Sequence, residues 1–227
     1  MSIDEILDVL QTQSNPTRIK VNEKNGNLLP QFGVPMGVLR KLANEIGINQ
    51  SLAISLWAIE NLDTRMLAVM IMDPEEMSKK EIDMLAKQID FCYLMDEFVD
   101  DVVFEHKDRE YFLDKWSKSK QDILGRGGWY LIVKELLGNE CLPQKIDEYL
   151  DVIQKELKDT SIKKQEVMNR ALCEIGIHYP NYTKKCLKIG EELGVYKEMK
   201  VSKGCTSPYA LEWIRVGLAK KKEKVKK

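Results

Sequence analysis

The sequence has no apolar run approaching the ~20 residues that cross a bilayer, which argues against a membrane-spanning protein. Strand signals are also missing: no Asn-Gly or Asp-Gly hairpin joins two alternating runs, and Val, Ile and Thr never sustain a period of two. There is no Walker lysine loop, no HExxH, no GxSxG and no glycine fingerprint following a strand, so the familiar nucleotide, zinc-protease and hydrolase sites are excluded. Gly125-Arg126-Gly127-Gly128-Trp129 is glycine-rich, but its spacing matches no phosphate cradle. Cysteine is sparse. Cys92, Cys141, Cys173, Cys186 and Cys205 form no CxxC pair, which suits reduced core thiols in a reducing compartment; neither metal nor cofactor is expected. Only two histidines occur, His106 and His178, far apart and expected at a surface or helix end. The opening Met1-Ser2-Ile3-Asp4-Glu5-Ile6-Leu7 has the pattern of an acidic amphipathic helix rather than a signal peptide, so a cytoplasmic location is expected.

What the chain does have is helical periodicity almost throughout its 227 residues. Stripes begin at Ile3, Val38, Leu52, Arg65, Glu81, Phe91, Tyr111, Gly127, Gln144, Lys163, Tyr182 and Pro208, with connections short enough to make neighbours antiparallel. Residues 14–30, polar and holding two prolines and Gly26, are expected to be a loop, and the lysine-rich 220–227 a flexible tail. Residues 42–57 and 172–190 look alike. In each, a helix ending in Glu-Ile-Gly-Ile turns into a returning apolar stripe, with the glycine suited to the left-handed position past a helix end. The fold expected is all-α, a single domain of HEAT-like helical repeats stacked into an α-α superhelix; an irregular helical bundle is the alternative.

The net charge of −1 hides an asymmetry. Residues 73–114 carry 5 basic and 14 acidic side chains, whereas residues 115–227 carry 24 basic and 15 acidic. A basic second half fits a polyanion-facing surface, or simply well-solvated helices.

One helix places an acid unusually. With residues 91–104 spaced at 100°, Phe91, Met95, Phe98, Val99 and Val102 form the apolar arc. Asp96 falls at its edge beside Cys92 and is expected half-buried, either poised for a cationic partner or bonded to a neighbouring helix. Arg126, flanked by glycines near a helix start, can clamp a phosphate or pair with an acid such as Asp96. Of the four tryptophans, at most one is expected to be exposed for stacking.

At these residues the sequence resembles the DNA alkylation repair proteins, a HEAT-like-repeat group that includes glycosylases removing cationic alkylated purines. The similar segments run in order: Phe32-Gly33-Val34 with Leu39-Arg40-Lys41-Leu42-Ala43; Leu56-Trp57 with Asp63-Thr64-Arg65-Met66-Leu67-Ala68; Cys92 to Asp96; Trp116 and then Arg126; Asn169-Arg170-Ala171-Leu172; and Cys205 to Ala210 with Trp213-Ile214. The resemblance implies a monomeric DNA repair hydrolase that needs no cofactor and acts on duplex DNA containing N3- or N7-alkylated purines. It implies that Asp96 stabilises the cationic sugar as the glycosidic bond breaks. Arg126 would hold a phosphate, with Trp116 and Arg170 also at the DNA. The family's tryptophan four residues before the aspartate is Cys92 here, which leaves Tyr93 or Phe91 to supply an aromatic wall. A non-catalytic relative that binds unusual DNA structures, or a protein-interaction solenoid, are the alternatives.

Overall fold

The computed structural model describes residues 1–138 and 141–225. Among these residues there is no strand. The helices are α1 (Ile3–Thr12), α2 (Pro16–Lys24), α3 (Met36–Ile46), α4 (Gln50–Trp57), α5 (Leu62–Ile71), α6 (Lys79–Ala86), α7 (Cys92–Phe98), α8 (Arg109–Ser117), α9 (Asp122–Gly138), α10 (Pro143–Glu156), α11 (Ile162–His178), α12 (Thr183–Leu193) and α13 (Ala210–Val225). They fall into two compact units, Met1–Phe112 and Leu113–Lys227.

The first unit is built around α5, where nine of ten residues are buried. A helix enclosed on every side must satisfy whatever polar groups it carries. Asp63 does so by accepting from the backbone N–H groups of Phe32, Gly33 and Val34, at 2.6, 3.0 and 2.8 Å. Gly33 is required there: its φ is +74°, and a Cβ would sit 2.7 Å from the Asn15 carbonyl. Further along α5, Arg65 donates to the Trp57 carbonyl and lies over the Trp57 ring, 5.2 Å from its centre.

The second unit is built around α9 and α11, each 17 residues long with eleven buried. Close approach depends on small residues. A Cβ on Gly128 would stand 2.1 Å from the Ser117 nitrogen, so the end of α8 is pressed directly onto α9.

Several expectations are corrected. The stretch 14–30 is not all loop, because α2 occupies its middle. That helix is polar and gives no apolar period, but Asn15 caps it through bonds from the Thr17 and Arg18 N–H groups and Pro16 opens it. Helix α9 begins at Asp122, five residues before the expected start, so the glycines lie within a helix and not at its entry. The two Glu-Ile-Gly-Ile segments are not equivalent. Gly47 ends α3 at φ +72°, whereas Gly176 lies inside α11, where a Cβ would meet Ile214 of α13 at 2.7 Å. The same four letters serve once as a stop and once as a packing notch. Residues 220–225 continue α13 rather than forming a tail, and 226–227 lie outside the described residues.

Replacing Asp63 with Ala leaves three backbone donors without their acceptor and is expected to cost roughly 3 kcal/mol or more, read as a lower urea midpoint. Gly128→Ala is expected to be at least as damaging, whereas Gly47→Ala, which strains only an exposed turn, should cost about 1–2 kcal/mol.

Candidate nucleic-acid interface

In the first unit, α7 presents Asp96. The side chain is half-buried, as its position at the edge of the apolar arc implies. Tyr93 lies one turn earlier on the same face of α7, 47% exposed, its ring edge-on to Phe91 at 5.2 Å. Phe91 itself is buried, so Tyr93 is the aromatic ring open to solvent beside Cys92, whose thiol is half-buried. After Phe98 the backbone changes to a π-helical turn over Val99–Val103, a local widening that often accompanies functional sites.

The field at this face is negative. Glu97 pairs with Arg40 at 3.3 Å, yet burial raises its pKa above the ordinary value of 4.5, and the charges of Asp100 and Asp96 raise it further against the pull of Arg40. Other acids of the 73–114 segment are used structurally: Glu81 closes a capping box with Ser78, and Asp108 pairs with Lys79.

His106 is not at the surface. Its ring is buried with Nε2 2.9 Å from the Met77 carbonyl while Nδ1 accepts from the Asp108 N–H, which describes one neutral tautomer. His178 is the last residue of α11, as expected, 3.4 Å from Glu174.

In the second unit, Arg126 is buried in α9, and its Nη1 donates to Glu166 at 2.8 Å and to the Lys163 carbonyl at 3.3 Å. Its carboxylate partner there is Glu166. Arg170, one turn along α11 from Glu166, lies against Glu174 at 3.7 Å with its guanidinium over the Tyr130 ring. Trp116, expected at the DNA, is 1% exposed and packs in the core, so its ring has no face to offer a base. Trp57 and Trp129 are buried as well, which leaves Trp213 as the half-buried tryptophan.

Arg126, Asn169, Arg170, Tyr196, Met199 and Trp213 are among the residues lining one cleft of about 300 Å³. Burial pushes the Tyr196 phenol up to about 12, with Glu166 adding to the shift and Arg126 opposing it. Neither Tyr196 nor Glu166 has a sequence signature: Tyr196 depends on a left-handed backbone, and Glu166 resembles any surface glutamate. Another cleft, of about 390 Å³, is lined by Lys118, Lys120, Lys155 and Lys164 together with Glu156 and Asp159; Lys164 is buried against Glu156 at 3.1 Å, and Lys118 pairs with Asp114. Both clefts are lined by residues of the second unit.

Among the described residues no group of three or more His, Cys, Asp or Glu is arranged to hold a metal ion. Burial raises the thiol pKa of Cys173, and that of Cys186 to about 12, so both are unreactive core thiols. Among the described residues no helix is long and apolar enough to cross a membrane.

Glu97 makes the field around Asp96 measurable. Because its folded pKa is raised, its contribution to stability is complete below about pH 4.5 and is lost as pH rises through the folded value. Glu97→Gln is therefore expected to unfold at a higher temperature than the wild type at pH 7 and at the same temperature at pH 4. The exposed Arg40 partner contributes too little to reverse this.

No curated protein sequence gives a significant match. A solved structure described as "A new family of proteins related to the HEAT-like repeat DNA glycosylases with affinity for branched DNA structures" superposes with a TM-score of 0.85 at 24% identity, covering 97% of this chain and 95% of that one. That likeness shows the fold, a HEAT-like helical-repeat fold, in agreement with the helix pairs read from the periodicity. Residues 6–214 match the family described as DNA alkylation repair enzyme. The chain belongs to the DNA alkylation repair enzyme family.

Proposed function

We propose that this chain is a DNA glycosylase that excises N3- or N7-alkylated purines from duplex DNA, with Asp96 as its catalytic carboxylate. The observation that supports the reading is the pairing, on one face of α7, of a half-buried carboxylate with the exposed ring of Tyr93. An alkylated purine is a cation, and its departure leaves positive charge on the sugar. The C1′–N bond breaks with its electron pair moving to the base, which becomes neutral. Water then bonds to C1′ and gives up a proton, leaving an abasic site. Asp96 holds the developing sugar cation and the incoming water, and the negative field of Glu97 and Asp100 adds to that stabilisation. Tyr93 supplies the aromatic face that Cys92 lacks. The same field repels phosphates, so affinity for DNA is assigned to exposed lysines of the second unit such as Lys118, Lys120 and Lys155, through counterion release.

A second reading, a relative that binds DNA structures without catalysis, is favoured by Cys92 at the family's tryptophan position and by the description of the structural neighbour. One experiment separates the two. Duplex DNA treated with a methylating agent is incubated with excess protein, and released 3-methyladenine and 7-methylguanine are measured. Asp96→Asn is expected to slow release about 100-fold or more while leaving affinity for DNA unchanged, and Tyr93→Ala to slow it less. If the wild type leaves methylated DNA intact at molar excess, the glycosylase reading is wrong. Affinity that does not fall with added salt would sink both DNA readings.

A further inference from the structure

The cleft lined by α9, α11, the Tyr196–Met199 turn and α13 belongs to no step of the excision chemistry, and three independent features make it more than a gap between helices. The first is Asn169. Its side chain is 1% exposed; Nδ2 donates to the Pro208 carbonyl at 2.8 Å, but Oδ1 is buried with no hydrogen-bond partner. A buried acceptor left unmatched is costly, and one lining a cleft is a place for a ligand's N–H.

The second feature is Tyr196. Its φ is +63°, the one positive value on a non-glycine among the described residues. Gly194, two residues before, already takes the left-handed conformation with ease at φ +62°, so the chain places a strained aromatic next to an unstrained glycine. That turn sets a phenol ring at the cleft wall, and the half-buried phenol, its pKa raised by burial, stays protonated at neutral pH as a hydrogen-bond donor. The third is Trp213, the half-buried tryptophan, which lines the same cleft with Met199.

Charge decides what kind of ligand fits. Arg126 is matched by Glu166 and Arg170 by Glu174, so the cleft is close to electrical balance and does not select a bare anion. Its selectivity comes from two aromatic rings and a thioether around one orphaned acceptor, the recognition set for a flat ring bearing an N–H. At about 300 Å³ it lies at the low end of ligand pockets and admits one such group.

We infer that this cleft receives the base of a single unstacked DNA nucleotide, held between Tyr196 and Trp213 with an amino or ring N–H on Asn169. The inference rests on the DNA reading above but not on excision. It assigns the protein a preference for DNA carrying an unpaired nucleotide.

The test compares two otherwise identical duplexes, one with 2-aminopurine in a single-nucleotide bulge and one with it paired to thymine. The wild type is expected to bind the bulged duplex about ten-fold more tightly and to quench its 2-aminopurine emission. Trp213→Ala removes both effects and leaves affinity for the paired duplex in place. Tyr196→Gly is the more telling variant, because relief of the left-handed strain offsets the packing lost with the ring: the thermal midpoint should stay close to that of the wild type while the bulge preference falls, which no purely structural role of the ring predicts. Equal binding of the two duplexes by the wild type, or a bulge preference that survives Tyr196→Gly, overturns the inference. These outcomes are independent of base release, so a protein that excises nothing but prefers the bulge still supports the cleft. If neither duplex is bound, the DNA reading fails, and titration with dGMP decides the cleft alone: a change in tryptophan emission absent from Trp213→Phe supports it, and no change overturns it.

Discussion

A single carboxylate organises the first half of the molecule. Asp63 enters the core on the most enclosed helix of its unit and accepts three consecutive backbone N–H groups from Phe32, Gly33 and Val34. A buried anion is tolerated only when fully bonded, and here the bonding partners are main chain, so the loop before α3 must adopt one conformation. Leu62 N–H adds a further bond to the Pro30 carbonyl at 2.8 Å. The Phe-Gly-Val and Asp-Thr-Arg segments, far apart in sequence, are thus two sides of one structural contact. Arg65 extends it by tying Trp57 to the loop at Gln88.

In the second unit the organising constraint is steric rather than electrostatic. Gly125, Gly128 and Gly176 each occupy a place where a Cβ would collide with Lys164, Ser117 or Ile214. These notches allow α9 to lie close against α11 and α11 against α13. Arg126 is thereby carried into the interior, where Glu166 fixes its guanidinium. Buried arginine and cleft are consequences of the same close packing.

The proposed function gives the charge asymmetry along the chain a division of chemistry. Acidic side chains near Asp96 raise the negative potential that favours a cation and disfavours phosphate. Lys118, Lys120 and Lys155 stand exposed on the second unit, beside Glu156 and Asp159, while Lys164 is buried against Glu156. Recognition of a cationic lesion and attraction to a polyanion require opposite fields, and the proposed function assigns them to different units.

Much of this was legible in the sequence, and the rest has a clear reason for being hidden. Periodicity was enough for the helices and the absence of strands, because an apolar stripe must be buried whatever it is buried against. It placed Asp96 correctly at half burial, since that depends only on angles around one helix. It missed α2, whose polar residues bury almost nothing, and it equated Gly47 with Gly176, because a left-handed stop and a packing notch both demand the absence of a Cβ. Trp116, His106 and the partner of Arg126 were decided by the tertiary structure, since burial of a ring or pairing of a charge depends on which helix arrives beside it. The cleft of Asn169, Tyr196 and Trp213 draws on three segments and one strained backbone angle, so no local pattern could announce it.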